Sequence, residues 1–206
     1  MIRRDSHRLF VGMLAVSVSA MTMRGVAVAS PRTDAESPSA QPPAAQATQA
    51  AGPAVATPTY VSLALDISVN RPADDVWKRI GKYCDIGEWL QMPCTITSGT
   101  DGELGAVRSV ANEIFVGRTQ RSYTYTQPVR NDRPYNMYHG TLEVRPVTAT
   151  TSSIVYVLVW DNSMLADDAA RQADIARRRT TFTRALDNMK ILAEGGTLPP
   201  KPGGLR

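Results

Sequence analysis

The chain has 206 residues, 43% of them hydrophobic, with 23 basic and 19 acidic side chains for a net charge of +4. Four of those basic residues (Arg3, Arg4, Arg8, Arg24) and one acid (Asp5) fall in the first 29 positions, so the remainder carries a net charge of only +1. The basic excess therefore gives no support for nucleic-acid binding. With two cysteines and two histidines in all, a zinc site is also a poor fit.

Arg3, Arg4 and Arg8 precede an apolar run from Leu9 to Met23, and Ala27-Val28-Ala29 follows as a small-residue cleavage site. This layout predicts a secretory signal peptide over 1–29 and export to a periplasm or the cell exterior. The apolar run of 15 residues is short of the ~18 expected of a membrane span, so stable membrane insertion is not expected. An uncleaved anchor is the alternative. Arg3-Arg4 hints at twin-arginine export, but the polar Asp5-Ser6-His7 after it weakens that signal.

Residues 30–58 are Ala, Pro, Gln, Ser and Thr with almost no large apolar side chain, which predicts a disordered linker. Residues 196–206, rich in Gly and Pro, read as a flexible tail. One domain over 59–195 is left. A domain of that size buries roughly two-thirds of its unfolded surface, enough for a core and a cavity.

The first element of the domain is a strand: Val61, Leu63, Leu65, Ile67 and Val69 alternate with polar or small residues. Pro72 then opens a helix whose first turn carries Asp74 and Asp75, with Val76, Trp77, Ile80 and Tyr83 as its apolar stripe. A shorter helical piece covers Asp85 to Leu90, and Pro93 ends it. Cys84 and Cys94 flank that piece. In an oxidising compartment a disulfide is the first reading, giving about 2–3 kcal/mol for so short a loop; two buried thiols are the alternative.

Strands follow over Cys94–Ser98, Gly105–Val110 and Glu113–Val116, with turns at Asp101-Gly102 and Ala111-Asn112. From Thr119 to Gln127, Arg121, Tyr123 and Tyr125 share one face. From Asn136 to Val144, Tyr138, Leu142 and Val144 share another, with His139, Thr141 and Glu143 opposite. Ser153 to Trp160 is apolar on both faces, which predicts a central strand or a covered outer face. A long helix then runs from about Asp167 to Ala193, stopped by Gly195. Ile175, Phe182, Leu186 and Met189 form its stripe. Ala169, Ala170, Ala173 and Ala176 are expected to leave space beneath its first half.

The segment Pro72–Gly81 with Trp89 and Pro93, the turn Gly102-Glu103-Leu104-Gly105-Ala106-Val107-Arg108, and the strands Arg121–Tyr125 and Tyr138–Val144 together resemble the polyketide cyclase/dehydrase and lipid-transport (SRPBCC) group. This is the START-like, Bet v 1-like helix-grip superfamily, and the likeness covers Tyr60 to about Glu194. The resemblance implies an α+β helix-grip fold. A curved antiparallel sheet of six to seven strands wraps a long C-terminal helix, two short helices follow the first strand, and a ligand cavity lies between sheet and helix. The hairpin after Arg108 is shortened, which is why six strands are also allowed. The second helix reads Trp89-Leu90-Gln91-Met92-Pro93, without the histidine many members carry there.

Tyr123, Tyr125, Tyr138, Tyr156 and Trp160 fall on faces turned inward, either as plain core or as cavity lining. Trp89 and Met92 sit where the resemblance places the cavity mouth. Glu113 and Arg121, with Arg108 as a third, are the charged residues expected inward, as ligand anchors or as structural ion pairs. His139 shares the polar face, which argues against a catalytic role. Neither a phosphate-binding glycine loop nor a metal-ligand cluster occurs, so no cofactor is expected. Arg177-Arg178-Arg179 reads as a solvated run pairing with Asp174 or Asp187.

Three functions fit. The first is an exported binder of a small hydrophobic or amphipathic ligand. The second is a cofactor-independent cyclase or dehydratase using Glu113 or a tyrosine as acid–base group. The third is an interaction protein whose cavity is filled by its own side chains. Fold alone does not choose between them, nor does the sequence settle the oligomeric state.

Overall fold

A computed structural model describes residues 57–201. The expected signal peptide at 1–29, most of the linker at 30–58 and the last five residues of the tail lie outside it. Among the described residues, no helix is long and apolar enough to cross a membrane, and no three metal-ligating side chains cluster.

The elements in order are β1 (Tyr60–Val69), α1 (Ala73–Ile80), α2 (Ile86–Trp89), β2 (Ile96–Ser98), β3 (Val107–Arg108), β4 (Glu113–Thr119), β5 (Ser122–Thr126), β6 (Asn136–Pro146), β7 (Ser152–Asp161) and α3 (Asp168–Ala193). The seven strands form one antiparallel sheet in the order β1-β7-β6-β5-β4-β3-β2. The shortened hairpin keeps both of its strands, although β3 has only two residues. Ala111 and Asn112 join β3 to β4 with φ of 51° and 54°, the paired left-handed conformation of a tight hairpin turn.

Alternation along each strand sorts residues by face. In β1, Leu63 and Val69 are buried, while Ser62, Ala64, Asp66 and Ser68 are exposed. β7 lies between β1 and β6, with Leu158 opposite Leu63 and Tyr156 opposite Leu65 and Leu142. Its second apolar face explains itself only in part: Val155 is buried, but Val159 is exposed on the outer side of the sheet.

Pro72 caps α1 by accepting from the Val76 amide at 3.1 Å, and Ala73, Val76 and Ile80 face the core. The Asp167 carboxylate caps α3 by accepting from Ala170 N at 2.8 Å. At the other end Gly195 turns left-handed at φ 87°, so that Gly196 N donates to Ile191 O at 2.8 Å. The inner face of α3 carries Phe182, Ala185, Leu186, Met189 and Leu192, as the stripe predicts.

The alanines correct an expectation. Ala169, Ala173 and Ala176 are exposed on the outer side of α3, and the inward positions of that half are Asp174, Arg178 and Ile175. Space beneath the first half of the helix is therefore taken by charged side chains. Beyond α3 the chain runs back along α2: Gln91 Nε2 donates to Pro199 O at 2.7 Å and Leu198 rests against the core. The composition of that stretch does not announce this contact.

Candidate functional site

The loop between α1 and β2 is tied by a Cys84–Cys94 disulfide that spans ten positions. It encloses α2 and fixes Tyr83 on one side of the closure. Tyr83, Phe115 of β4, Tyr123 of β5 and Trp77 of α1 then assemble. Tyr83 meets Phe115 and Tyr123 edge-on, with ring centroids 5.0 and 5.5 Å apart, and Trp77 lies 5.9 Å from Tyr123.

These four rings line a cleft of about 420 Å³ at one end of the sheet, between the C-terminal end of α1 and the β4–β5 hairpin. Its rim carries Lys82, Asp101, Arg118, Gln120 and Ser122. The volume falls within the ~300–1,000 Å³ typical of small-molecule sites. Two surface grooves are somewhat larger, at about 490 Å³ each, but neither contains a tyrosine or tryptophan.

Behind the same rings lies a buried ion pair. Arg108 has no exposed surface and Glu113 has 3%. Arg108 Nε donates to Glu113 Oε2 at 2.7 Å, Nη1 donates to the Tyr83 carbonyl at 2.6 Å, and Nη2 sits 2.5 Å from Glu113 Oε2 without hydrogen-bond geometry. The guanidinium is 4.2 Å from the Tyr83 ring centroid, 4.6 Å from Tyr125 and 5.8 Å from Tyr123. Glu113 Oε1 accepts from Gln127 Nε2 at 2.8 Å, and Gln127 accepts from the Tyr135 hydroxyl at 2.6 Å. Burial pushes the Glu113 carboxyl above the usual range, against Arg108 and Gln127, which pull it down. Both of its oxygens are engaged.

Not every polar group here is satisfied. The hydroxyls of Tyr83 and Tyr123, Trp89 Nε1 and Arg108 Nη2 are buried without a hydrogen-bond partner. Native interiors leave few such groups, and two of them, the Tyr83 and Tyr123 hydroxyls, belong to rings 5.5 Å apart on the cleft wall. Burial also pushes the Tyr83 and Tyr123 hydroxyls above their ordinary 10.0, so both keep their protons. The other unpaired buried atoms belong to Asn162 and Ser163, just beyond β7.

The middle of the interior is filled. Tyr125 and Tyr156 share a hydroxyl–hydroxyl bond of 2.8 Å, and Phe182 of α3 lies 4.7 Å from Tyr156. Gly140 makes the first of these possible. It faces Tyr125 across β5–β6, and a Cβ there would stand 2.3 Å from the ring.

A second, largely buried arginine lies under α3, linked to the first through Glu113, Gln127 and Tyr135. Arg178 lies over Tyr135, Tyr138 and Trp160 at 4.6, 5.0 and 4.7 Å. Asp174 accepts from Trp160 Nε1 at 3.0 Å and from Arg178 Nε at 3.1 Å, and it also pairs with Arg177.

Among the expected site residues, Tyr123, Tyr125, Tyr138, Tyr156, Trp160, Trp89 and Glu113 are all buried, but only Tyr123 lines the cleft. Met92 is half-buried in the loop after α2, away from the cleft lining. Arg121 requires correction. It lies in the turn before β5, where strand alternation does not apply, and reaches outward to Asp74 of α1 at 2.7 Å. The inward arginine is Arg108. Tyr83 and Gln127 lie in the loops after α1 and β5 and Phe115 lies in β4, so no pattern along a single element groups them. Asp174 and Arg178 carried a readable signal: counting by fours from Asp174 reaches Arg178, Phe182 and Leu186 on one stripe.

Three solved structures resemble this one. A protein of Nitrosospira multiformis matches at 20% identity and TM-score 0.51, covering 63% of this chain and 94% of its own. A protein of Thermobifida fusca matches at 19% identity and TM-score 0.51, covering 67% and 97%. The Zhui aromatase/cyclase of a Streptomyces species matches at 14% identity and TM-score 0.51, covering 68% and 100%. Identities this low show a shared fold and no more. No curated protein matches the sequence. Residues 60–194, the whole of the sheet and the whole of α3, match the family described as polyketide cyclase / dehydrase and lipid transport, and the chain belongs to that family.

Proposed function

We propose that this is an exported binding protein for a small amphipathic molecule, taken up through the cleft over Tyr83 and Tyr123. The observation that carries this reading is the coincidence of two features. An aromatic-floored cleft of ligand size is bordered by the same two tyrosines whose buried hydroxyls lack partners. Contact with Trp77, the one of the four rings that keeps exposed surface, supplies affinity through apolar burial. The unpaired donors orient the polar end, since a buried donor gains most from the bond it lacks. Export is supported by the leader-like N-terminal sequence and by the disulfide, which suits an oxidising compartment.

The test is native mass spectrometry and thermal-shift titration of the purified protein against a panel of two- and three-ring aromatic compounds bearing oxygen. Uptake is expected, weakened about 10-fold or more in Tyr83→Phe/Tyr123→Phe. A protein that takes up none of the panel is not a binder of this kind.

The filled middle of the interior favours a second reading, an interaction protein with no ligand. It predicts no uptake from the panel and a defined oligomer or partner complex in solution. The catalytic alternative loses its leading residue, because both Glu113 oxygens are held by Arg108 and Gln127. Acid–base work would then fall to the Tyr83 or Tyr123 hydroxyl.

A further inference from the structure

Entry to the cleft wall needs a moving part, given that a ligand reaches Tyr83 and Tyr123 as proposed above. We infer that Trp77 is the gate of this site, that Gly81 is the seat on which its indole turns, and that the two residues together set what the site admits.

Of the four rings on the cleft wall, Tyr83 and Tyr123 are each 1% exposed and Phe115 is 2% exposed, while Trp77 is half-buried. The Tyr83 and Tyr123 hydroxyls are buried as well as unpaired. The cleft therefore runs up to a closed wall, and a ligand meets those hydroxyls only when part of the wall gives way. Three of the rings are held from behind. The Tyr83 carbonyl accepts from Arg108 Nη1 at 2.6 Å, and the next residue is bound in the Cys84–Cys94 disulfide. Phe115 N donates to Ala106 O and Phe115 O accepts from Gly105 N, both at 2.8 Å. Tyr123 sits in β5, paired on both sides by β4 and β6. Trp77 stands on the last turn of α1 and meets Tyr123 by ring contact, at 5.9 Å with the planes tilted by 52°. A half-exposed side chain changes rotamer far faster than a paired strand or a cross-linked loop rearranges.

The indole also lies against Gly81, the residue that closes α1 and lines the same cleft. A Cβ at position 81 would stand 2.5 and 2.6 Å from Cδ2 and Cε2 of the indole, and 2.6 Å from the Trp77 carbonyl oxygen. Any side chain there evicts the ring. The φ of Gly81 is −96°, open to every residue, so the glycine is required by close approach and not by backbone conformation. The Gly81 amide donates to Trp77 O at 2.8 Å, which fixes the backbone of both residues and leaves the side chain as the part that moves.

The experiment follows naphthol binding to the disulfide-intact full chain by stopped flow. In Trp77→Ala the association rate is expected to rise about 10-fold, although affinity falls with the lost ring contact. A Trp77 that supplies contact alone would change the dissociation rate and leave association as it was. That result overturns the inference while leaving the binding function standing. Gly81→Ala should also speed association, with Trp77 still present but unseated. Trp89 and Trp160 have no exposed surface, so Trp77 is the tryptophan that iodide quenches. Quenching is expected to rise in Gly81→Ala, to vanish in Trp77→Phe, and to fall in the unaltered chain as naphthol saturates it. A second readout needs no ligand: iodination of Tyr83 and Tyr123, mapped by mass spectrometry, should be about 10-fold faster in Trp77→Ala, with buried Tyr125 unchanged. If naphthol does not bind but both tyrosines are uncovered in Trp77→Ala, the binding reading falls and the gate stands. Equal iodination in the two chains overturns the gate. If neither variant folds, quenching in the unaltered chain decides: quenching unchanged at naphthol saturation is the contrary result.

Discussion

Two arginine clusters in the interior use one motif to different ends. At each, an arginine lies against aromatic rings and pairs with a carboxylate: Arg108 with Glu113 among Tyr83, Tyr123 and Tyr125, and Arg178 with Asp174 over Tyr135, Tyr138 and Trp160. Around Arg178 the indole N–H of Trp160 is taken up by Asp174, and no buried polar atom of Trp160, Asp174 or Arg178 lacks a partner. Around Arg108 the hydroxyls of Tyr83 and Tyr123 stay unpaired and both rings border a cleft. The contrast teaches that a buried arginine–carboxylate pair is not by itself a site. What distinguishes a site is unspent hydrogen-bonding capacity beside accessible space.

The largest expected effect comes from alkali. Tyr83, Tyr123, Tyr125, Tyr138 and Tyr156, five of the seven tyrosines, are all raised above 10.0 by burial. Their contribution is complete below the unfolded-state value near 10 and is lost as pH rises beyond it. Each costs about 1.4 kcal/mol per pH unit once the unfolded phenol ionises. Phenolate absorbance and loss of circular dichroism should therefore rise together in one steep transition above about pH 10. A large phenolate signal in a still-folded chain would mean that water reaches the buried phenols.

Next, Glu113→Ala strands Arg108 in the core and should cost about 3–5 kcal/mol in urea unfolding, with a smaller loss for Arg108→Met/Glu113→Leu together. A single-variant cost under about 1 kcal/mol would mean that water reaches the pair.

Asp174→Ala on α3 leaves the Trp160 N–H unpaired but frees two arginines that already touch solvent. A loss of about 1–3 kcal/mol, below that of Glu113→Ala, is the outcome that upholds the contrast. Ligand binding should be unaffected by this change, as calorimetry can check.

The smallest effect belongs to Arg121→Ala, which removes a surface ion pair with Asp74 worth about 0–1 kcal/mol. A marked loss of ligand affinity in Arg121→Ala would restore the inward role that strand alternation first suggested for it.

Arg121 also marks where reading from sequence stopped. Alternation from Tyr123 backward places position 121 inward, and that inference holds only while the chain is a strand. β5 begins at Ser122, so the rule fails by one residue. Where elements are long, local pattern suffices: the alternation of β1 and the Phe182–Leu186–Met189 stripe of α3 both match the buried faces. The alanines of α3 misled because small residues are equally at home facing solvent or facing core. The charged pair Asp174–Arg178 looked solvated because pattern reading assigns charges to water.

Sequence alone determined the order of elements and the inward faces of the long strands and of α3, and it offered the Cys84–Cys94 disulfide as the first of two readings. Each of these depends on the period of a helix or strand, or on residues only ten positions apart. Tertiary structure decided the rest. That the Arg108 charge is met by Glu113 while the Tyr83 and Tyr123 hydroxyls find no partner depends on β3, β4, β5 and the loop after α1 meeting in space. Hydrogen bonds discriminate over tenths of an ångström, a scale that no spacing along the chain encodes.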